Sequence, residues 1–299
     1  MREKTVIKYN GNKQDISIYF NLNCNLGCSY CYMDLMNKSM TKENMLVLLD
    51  KINTHDTDLN IQILGGEPSI YKHIEYFVNN LDARHDLNFI TNGVKTHALD
   101  LTFNNPKSSM MLSIHYEYLN EEYFQNIKRT ILKYEKYILL SINIPALDII
   151  EKYGDELLNF IERITTIADI SYSTNNIIID LEDINNHYDD FTDKVKALIP
   201  GLDLNCWHDS FEINGELSTV PEVTEAYYNL NINHNFKNKC ICEMGFMEVL
   251  PDLELKYLCI DEHICSAKDF KIPDYPKKVL CPQDLCNYHC YTNNTKWFI

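Results

Sequence analysis

The chain has 299 residues, 45% of them hydrophobic, with 27 basic against 43 acidic side chains and a formal net charge of −16. That length builds one large core or two modest ones, and the acidic balance argues against a nucleic-acid partner, which needs clustered Lys and Arg. No apolar run approaches the roughly 18–20 residues of a membrane span, and Met1–Thr5 lacks the apolar core of a signal peptide.

A cytoplasmic location is therefore expected, and in that setting the eleven cysteines read as metal ligands rather than disulfides. Residues 1–15 are polar and too few to fold alone. A short alternating apolar run from Ile16 then forms a strand that delivers Cys24, Cys28 and Cys31, spaced C-x3-C-x2-C. A [4Fe–4S] cubane normally takes four thiolates. Three local ones leave an iron open to a small ligand, as catalytic metal sites keep a position open. A zinc knuckle corner, or a set of buried thiols, is the competing reading.

Thr41 is an N-cap candidate, and Met45, Leu48, Leu49 and Ile52 follow at helical spacing, predicting a helix over 41–53. A second strand with Leu59, Ile61 and Ile63 ends in Gly65-Gly66-Glu67-Pro68. Ile74, Phe77, Val78 and Leu81 mark a helix, 87–91 a third strand closed by Asn92-Gly93, and 110–114 a fourth. Phe124, Ile127 and Ile131 give the next helix, and 137–144 the fifth strand. Leu157, Ile161, Ile164 and Ala168 share a helix face, and 177–181 is the sixth strand, followed by a helix through Phe191, Val195 and Leu198. Alternating strands and helices predict βα units and a parallel sheet. Their order alone does not separate a barrel from an open doubly wound sheet. The alternation stops at Pro200-Gly201. Beyond it lie a hairpin around Asn214-Gly215 and eight of the eleven cysteines, which sets a domain boundary between 1–200 and 201–299.

Cys24-Asn-Leu-Gly-Cys28-Ser-Tyr-Cys31-Tyr resembles the cluster loop of the radical S-adenosylmethionine (SAM) superfamily, in particular the branch carrying SPASM or twitch extensions. The resemblance implies an α/β fold, a partial (β/α)6 TIM-like barrel followed by a cysteine-rich domain. It also implies that the open iron is chelated by the amino and carboxylate groups of SAM. One-electron cleavage then gives a 5′-deoxyadenosyl radical that abstracts hydrogen. Gly65-Gly66-Glu67-Pro68 is similar to the family's GGEP, which binds the methionine amino group, against the alternative of an ordinary βα turn. By the same likeness Tyr30 lies beside the adenine. Ser113 matches the position that bonds the ribose or the cofactor carboxylate, and Asn143 reaches the cofactor from the fifth strand. Both have a structural alternative as ordinary strand residues. His115 is a departure, standing where many SPASM relatives read Ser-x-Asp-Gly. It is a candidate to bind substrate or accept a proton, against a merely hydrogen-bonded surface histidine.

Cys242-Glu-Met-Gly245 and Cys259 resemble the first half of a SPASM or twitch motif, with Pro251-Asp252-Leu253 in place of Pro-Asp-Gly. Cys281, Cys286 and Cys290 resemble its second half with one cysteine missing. At least one auxiliary [4Fe–4S] cluster is expected, a second being open. Its ligands are Cys242, Cys259 and Cys290 plus one of Cys240, Cys265, Cys281 or Cys286, and zinc is the alternative occupant. Cys206 reads as a ligand, a hydrogen-atom donor or a buried thiol. The expected protein is a radical SAM oxidoreductase that crosslinks, epimerises or oxidises a peptide. Dehydrogenation or rearrangement of a small molecule (a sugar, aminocyclitol or nucleotide) is the alternative, and a non-catalytic iron–sulfur or zinc scaffold the remote one. Expected partners are an electron donor such as flavodoxin or ferredoxin and, since the sequence leaves no room for a leader-binding domain, a separate leader-binding protein.

Overall fold

A computed structural model describes residues 6–9, 14–31, 33, 36–144, 147–167, 171–176, 211–213, 216–218, 240–244, 246–257, 262–266, 269–273, 277–280 and 296–298. After β1 (Val6–Tyr9), the chain alternates β2 (Gln14–Tyr19), α1 (Lys42–Asn53), β3 (Leu59–Leu64), α2 (Ile74–Asn79), β4 (Asp86–Thr91), β5 (Ser109–Ile114), α3 (Glu121–Tyr134), β6 (Ile138–Ile144), α4 (Leu147–Thr165) and β7 (Ser171–Asn176). Strands β2 to β7 lie side by side in sequence order, each parallel to the last. A doubly wound sheet reverses its strand order at a switch point; from β2 to β7 this one does not. The architecture is the partial barrel.

The helices sit where their sequences put them. Thr41 caps α1, its hydroxyl accepting from Asn44 N at 3.1 Å, and Asn120 caps α3 through Tyr123 N at 2.9 Å; each satisfies one of the orphan amides of a helix start. Met45, Leu48, Leu49 and Ile52 bury one face of α1. Together with Phe124, Ile127 and Ile131 of α3 they cover the outward residues of the sheet, among them Ile18, Ile61, Phe89 and Leu112. Many of the inward positions are polar. Register places Ser17, Gln62, Asn88 and Ser109 in one row across β2–β5, and Ser113 beside Ser141. Strands covered on both faces read as continuous apolar runs, so this alternation marks a lumen.

The sixth parallel strand is Ser171–Asn176. The strand expected at 177–181, and the helix after it, lie outside the described residues. Beyond residue 200 the expected hairpin is β8 (Phe211–Ile213) against β9 (Glu216–Ser218). Then come β10 (Cys240–Met244), β11 (Phe246–Val249), β12 (Leu255–Tyr257), β13 (Glu262–Cys265), β14 (Lys277–Leu280) and β15 (Lys296–Phe298). Three pairings cross the boundary drawn at residue 200. Strand β1 sits between β15 and β8 in a six-stranded sheet ordered β14-β10-β15-β1-β8-β9. Strand β11 runs parallel to β2 and carries β12 and β13 onto the barrel sheet. Tyr19 donates to the buried Glu248 Oε1 at 2.8 Å across that seam.

Candidate active site at the head of the barrel

The chain leaves β2 into a loop with a narrow neck. Leu22 N donates to Lys38 O at 2.8 Å and Met40 N to Phe20 O at 2.7 Å, with an antiparallel bridge between Asn21 and Ser39. The neck holds Cys24 to Cys31 over the carboxyl ends of the strands, where parallel barrels carry their chemistry.

Beneath the loop lies Gly65-Gly66-Glu67-Pro68. Gly66 N donates to Asn21 O at 3.1 Å and Glu67 N to Asn23 O at 2.7 Å, so the turn after β3 is bonded backbone to backbone onto the start of the cysteine loop. Both glycines are required by that approach. A Cβ on Gly65 would stand 2.4 Å from Asn21 O, and one on Gly66 2.0 Å from Asn23 O, and Gly65 also has φ +138. Glu67 is buried and turned inward. One carboxylate oxygen accepts from Ser69 N at 2.9 Å and Thr91 Oγ1 at 2.6 Å, the other from Asn92 N at 2.7 Å. Burial pushes its carboxyl above the usual range, and the Asn92, Ser69 and Thr91 donors pull it back. Glu67 thus locks the ends of β3 and β4 together. Asn92 continues the chain of contacts, its amide donating to Asn25 Oδ1 at 3.0 Å and lying 3.7 Å from Cys24 Sγ.

The other side of the loop is held by the turn after β5. Gly27 N donates to Tyr118 Oη at 2.8 Å. Ser29 N donates to Glu117 Oε2 at 2.9 Å, and its hydroxyl to Glu117 Oε1. His115 Nδ1 lies 3.4 Å from Cys28 Sγ and 2.7 Å from Tyr30 Oη. The Tyr30 ring stacks on Tyr116, with centroids 4.7 Å apart. Burial holds the His115 imidazole down at about 4, against the opposing Glu117 carboxylate, and pushes the Cys28 thiol up to about 11 against the hydrogen bond from Tyr30. Cys24 is raised too, first by burial. Metal binding here must displace protons.

Cys24, Cys28 and Cys31 are free thiols. Among the described residues no three His, Cys, Asp or Glu side chains converge on a single ion. A cubane takes one thiolate per iron, so its ligands ring a site rather than meet at a point. Three soft donors on one loop, free of any disulfide, with Cys24 beside Asn92 after β4 and Cys28 beside His115 after β5, fit such a cluster.

Of the other expected site residues, Ser113 is on the lumen face of β5, its carbonyl accepting from Tyr123 Oη at 3.1 Å. Asn143 lies on β6 in register with Asn175 of β7. Cys240 and Cys242 lie on β10, paired with Phe298 and Lys296 of β15. Cys265 is buried at the end of β13, its sulfur 3.4 Å from both N and O of Lys271. Cys206, Cys259, Cys281, Cys286 and Cys290 lie outside the described residues. Sequence reading missed Asn92, Glu117 and Tyr118. Asn92-Gly93 was visible only as a strand end, and nothing local joins Glu117 or Tyr118 to a loop about ninety residues earlier.

Residues 18–139 match the family described as the Radical SAM superfamily. No curated protein matches the chain. Among solved structures, Streptococcus suis SuiB bound to precursor peptide SuiA is similar with a TM-score of 0.53 and 14% identity, over 88% of this chain and 66% of that one. A second structure of SuiB gives 0.51 and 16%, over 85% and 63%. At those identities the likeness is one of fold, and this chain spans just under two thirds of SuiB's length. The matched segment begins in β2, ends in β6, and contains every contact described above for the cysteine loop. Residues 18–139 therefore match the Radical SAM superfamily, whose domains are those of enzymes that use a [4Fe–4S] cluster and S-adenosylmethionine.

Proposed function

We propose that the protein is a radical SAM oxidoreductase that modifies a peptide at a C–H bond, by crosslinking, epimerisation or oxidation. The observation that carries this reading is the docking of the three-thiol loop onto Gly66 and Glu67 at the head of a parallel barrel. Cys24, Cys28 and Cys31 hold three irons. When bound, the cluster and SAM supply one-electron cleavage of the sulfonium and a hydrogen-abstracting 5′-deoxyadenosyl radical.

The chain's own residues bind and orient. Gly65, Gly66, Glu67 and Pro68 form the floor under the cofactor's methionine end, with Tyr30, Ser113 and Asn143 as its further contacts. Support for a peptide comes from the fold-level likeness to SuiB, a protein whose structure was solved with a precursor peptide. The division into a barrel (1–200) and a cysteine-rich part (201–299) accompanies this reading. So do one or two auxiliary clusters on Cys242, Cys259 and Cys290 with one of Cys240, Cys265, Cys281 or Cys286. A flavodoxin or ferredoxin supplies the electron.

The test is anaerobic reconstitution, with iron, sulfide and 5′-deoxyadenosine measured under dithionite and SAM. The wild type is expected to hold about eight irons and the Cys24/Cys28/Cys31 alanine variant about four, one cubane fewer. Cofactor cleavage should vanish in the variant. Cleavage that persists there would overturn the site; an alanine variant that keeps no iron and retains only zinc would overturn the auxiliary cluster.

A further inference from the structure

The loop is gripped from two sides, and the family motif accounts for only one. On the far side three side chains within four residues after β5 reach across to it: Tyr118 takes the Gly27 amide, Glu117 takes the Ser29 amide and hydroxyl, and His115 meets Cys28 Sγ and Tyr30 Oη. These are contacts between positions 85 to 91 residues apart, all from the turn Tyr116–Tyr118 and the His115 that caps it, anchored by Tyr118 N to His115 O at 3.1 Å. Tyr116 is 2% exposed and backs the Tyr30 ring, so the turn is fixed in the core and the loop is fixed to the turn.

We propose that His115–Tyr118 is a clasp that orders the cysteine loop before metal arrives and tunes the cluster it holds, through hydrogen bonds from His115 and Tyr30 to Cys28. This rests on the radical SAM reading. A sulfur that ligates iron has no proton and only accepts. The contacts around Cys28 are then satisfied when His115 donates through Nδ1, directly to Sγ or by way of the Tyr30 oxygen while the Tyr30 hydroxyl turns to Sγ. Hydrogen bonds to cluster sulfurs stabilise the more negative, reduced state and so raise the reduction potential. Glu117 and Tyr118 act differently. They satisfy loop amides that otherwise face solvent, so their work is done in the apoprotein. All four are positioning residues.

Two measurements test the two halves. The first follows amide hydrogen exchange at Gly27 and Ser29 in the apoprotein. Glu117→Gln and Tyr118→Phe should speed exchange at Ser29 and Gly27 respectively, each at least tenfold, with protection in β3–β5 kept. Unchanged exchange at both amides overturns the ordering role.

The second is a potentiometric titration followed by electron paramagnetic resonance, reading the signal that disappears in the Cys24/Cys28/Cys31 alanine variant. In His115→Phe that signal should move to a more negative midpoint by about a tenfold change in the reduction equilibrium, which is about 59 mV for one electron. Tyr30→Phe keeps the stacked ring and should shift it in the same direction. His115→Gln restores an N–H donor and should recover part of the shift. Normal iron content with an unmoved midpoint in both Phe variants overturns the tuning role alone. A wild type that loses no iron on removal of the three cysteines overturns the radical SAM reading and the clasp with it.

Discussion

At the scale of single residues, the site depends on positions where a side chain has no room. Gly66 illustrates this better than Gly65, because no unusual φ is involved there and the constraint is purely the approach of Asn23. In Gly66→Ala the new methyl meets backbone, which does not swing away like a side-chain tip. The loop should lift from the turn after β3, breaking the bonds from Gly66 N and Glu67 N. A cost of about 1–3 kcal/mol is expected for such overpacking, together with loss of the cluster-loop iron on reconstitution; retention of full iron would refute it. Leu253 is the opposite case. It takes φ +62, a conformation that suits glycine, in the turn between β11 and β12, yet its side chain is 1% exposed in the core. Leu253→Ala should cost about 2–5 kcal/mol for the lost packing while keeping the backbone strain. Leu253→Gly releases that strain, roughly 1–2 kcal/mol. Urea melts should therefore rank wild type above Gly and Gly above Ala; the reverse order of the two variants would mean the strain is absent. The sequence displayed this position as a departure from Pro-Asp-Gly, without saying that the leucine's burial is what it serves.

At the scale of elements, most of the barrel was legible because its signals are local. Thr41 before a 3.6-residue period gave α1, and polar–apolar alternation gave β3 to β5 within a residue or so. The sixth strand was not, since Ser-Tyr-Ser-Thr-Asn-Asn at 171–176 has almost nothing apolar to bury and, among the described residues, pairs with β6 alone. The more apolar 177–181 drew the assignment instead. Contacts that tie elements together were invisible for a different reason: they join residues distant in sequence. His85 is one. Its Nδ1 accepts from Leu59 N at 3.0 Å, which fixes the ring proton on Nε2, and that nitrogen donates to Ile52 O at 3.0 Å. One imidazole thus joins the end of α1, the start of β3 and the approach to β4. Burial, with Arg84 alongside, holds it down at about 4, against an ordinary value near 6.5. Protonation would aim an N–H at the Leu59 N–H. The unfolded chain binds this proton between pH 6.5 and 4 while the folded chain refuses it, so the contribution is complete above pH 6.5 and is lost as pH falls towards 4. The loss is on the order of 3 kcal/mol. In apoprotein urea melts, His85→Gln should be less stable than wild type at pH 7.5 and the gap should narrow by pH 4.5. A gap that stays constant with pH would remove His85 from the acid response.

At the scale of the whole molecule, the chain is stitched by strands that leave one half of the sequence for the other. The cysteine pattern marked residue 200 as a boundary of composition, and the parallel barrel on one side of it was readable. What sequence could not give was the exchange across it, because β1 and β11 are four residues each and carry no pattern that names a partner. Strand β1 is central in its sheet: Ile7 is in register with Ile213 of β8 on one side and Lys296 of β15 on the other. A central strand must give its N–H groups to the ladder, and proline has none to give. Ile7→Pro should therefore separate β8–β9 from β15, exposing two edges. Amides of β8 and β15 should then exchange at least tenfold faster while β3, β4 and β5, held by their own pairings and by α1 and α3, keep their protection. If β3–β5 open as well, the two sheets form one cooperative unit and the barrel owes its stability to the C-terminal strands. The barrel's own links to the C-terminal strands favour the first outcome, because they do not run through β1. Lys38 to Asp252 at 2.7 Å, between the loop after β2 and the turn after β11, is a half-exposed ion pair, of a kind that contributes about 1 kcal/mol or less. The β2–β11 seam with its Tyr19–Glu248 bond belongs to the barrel sheet itself, and does not depend on β1.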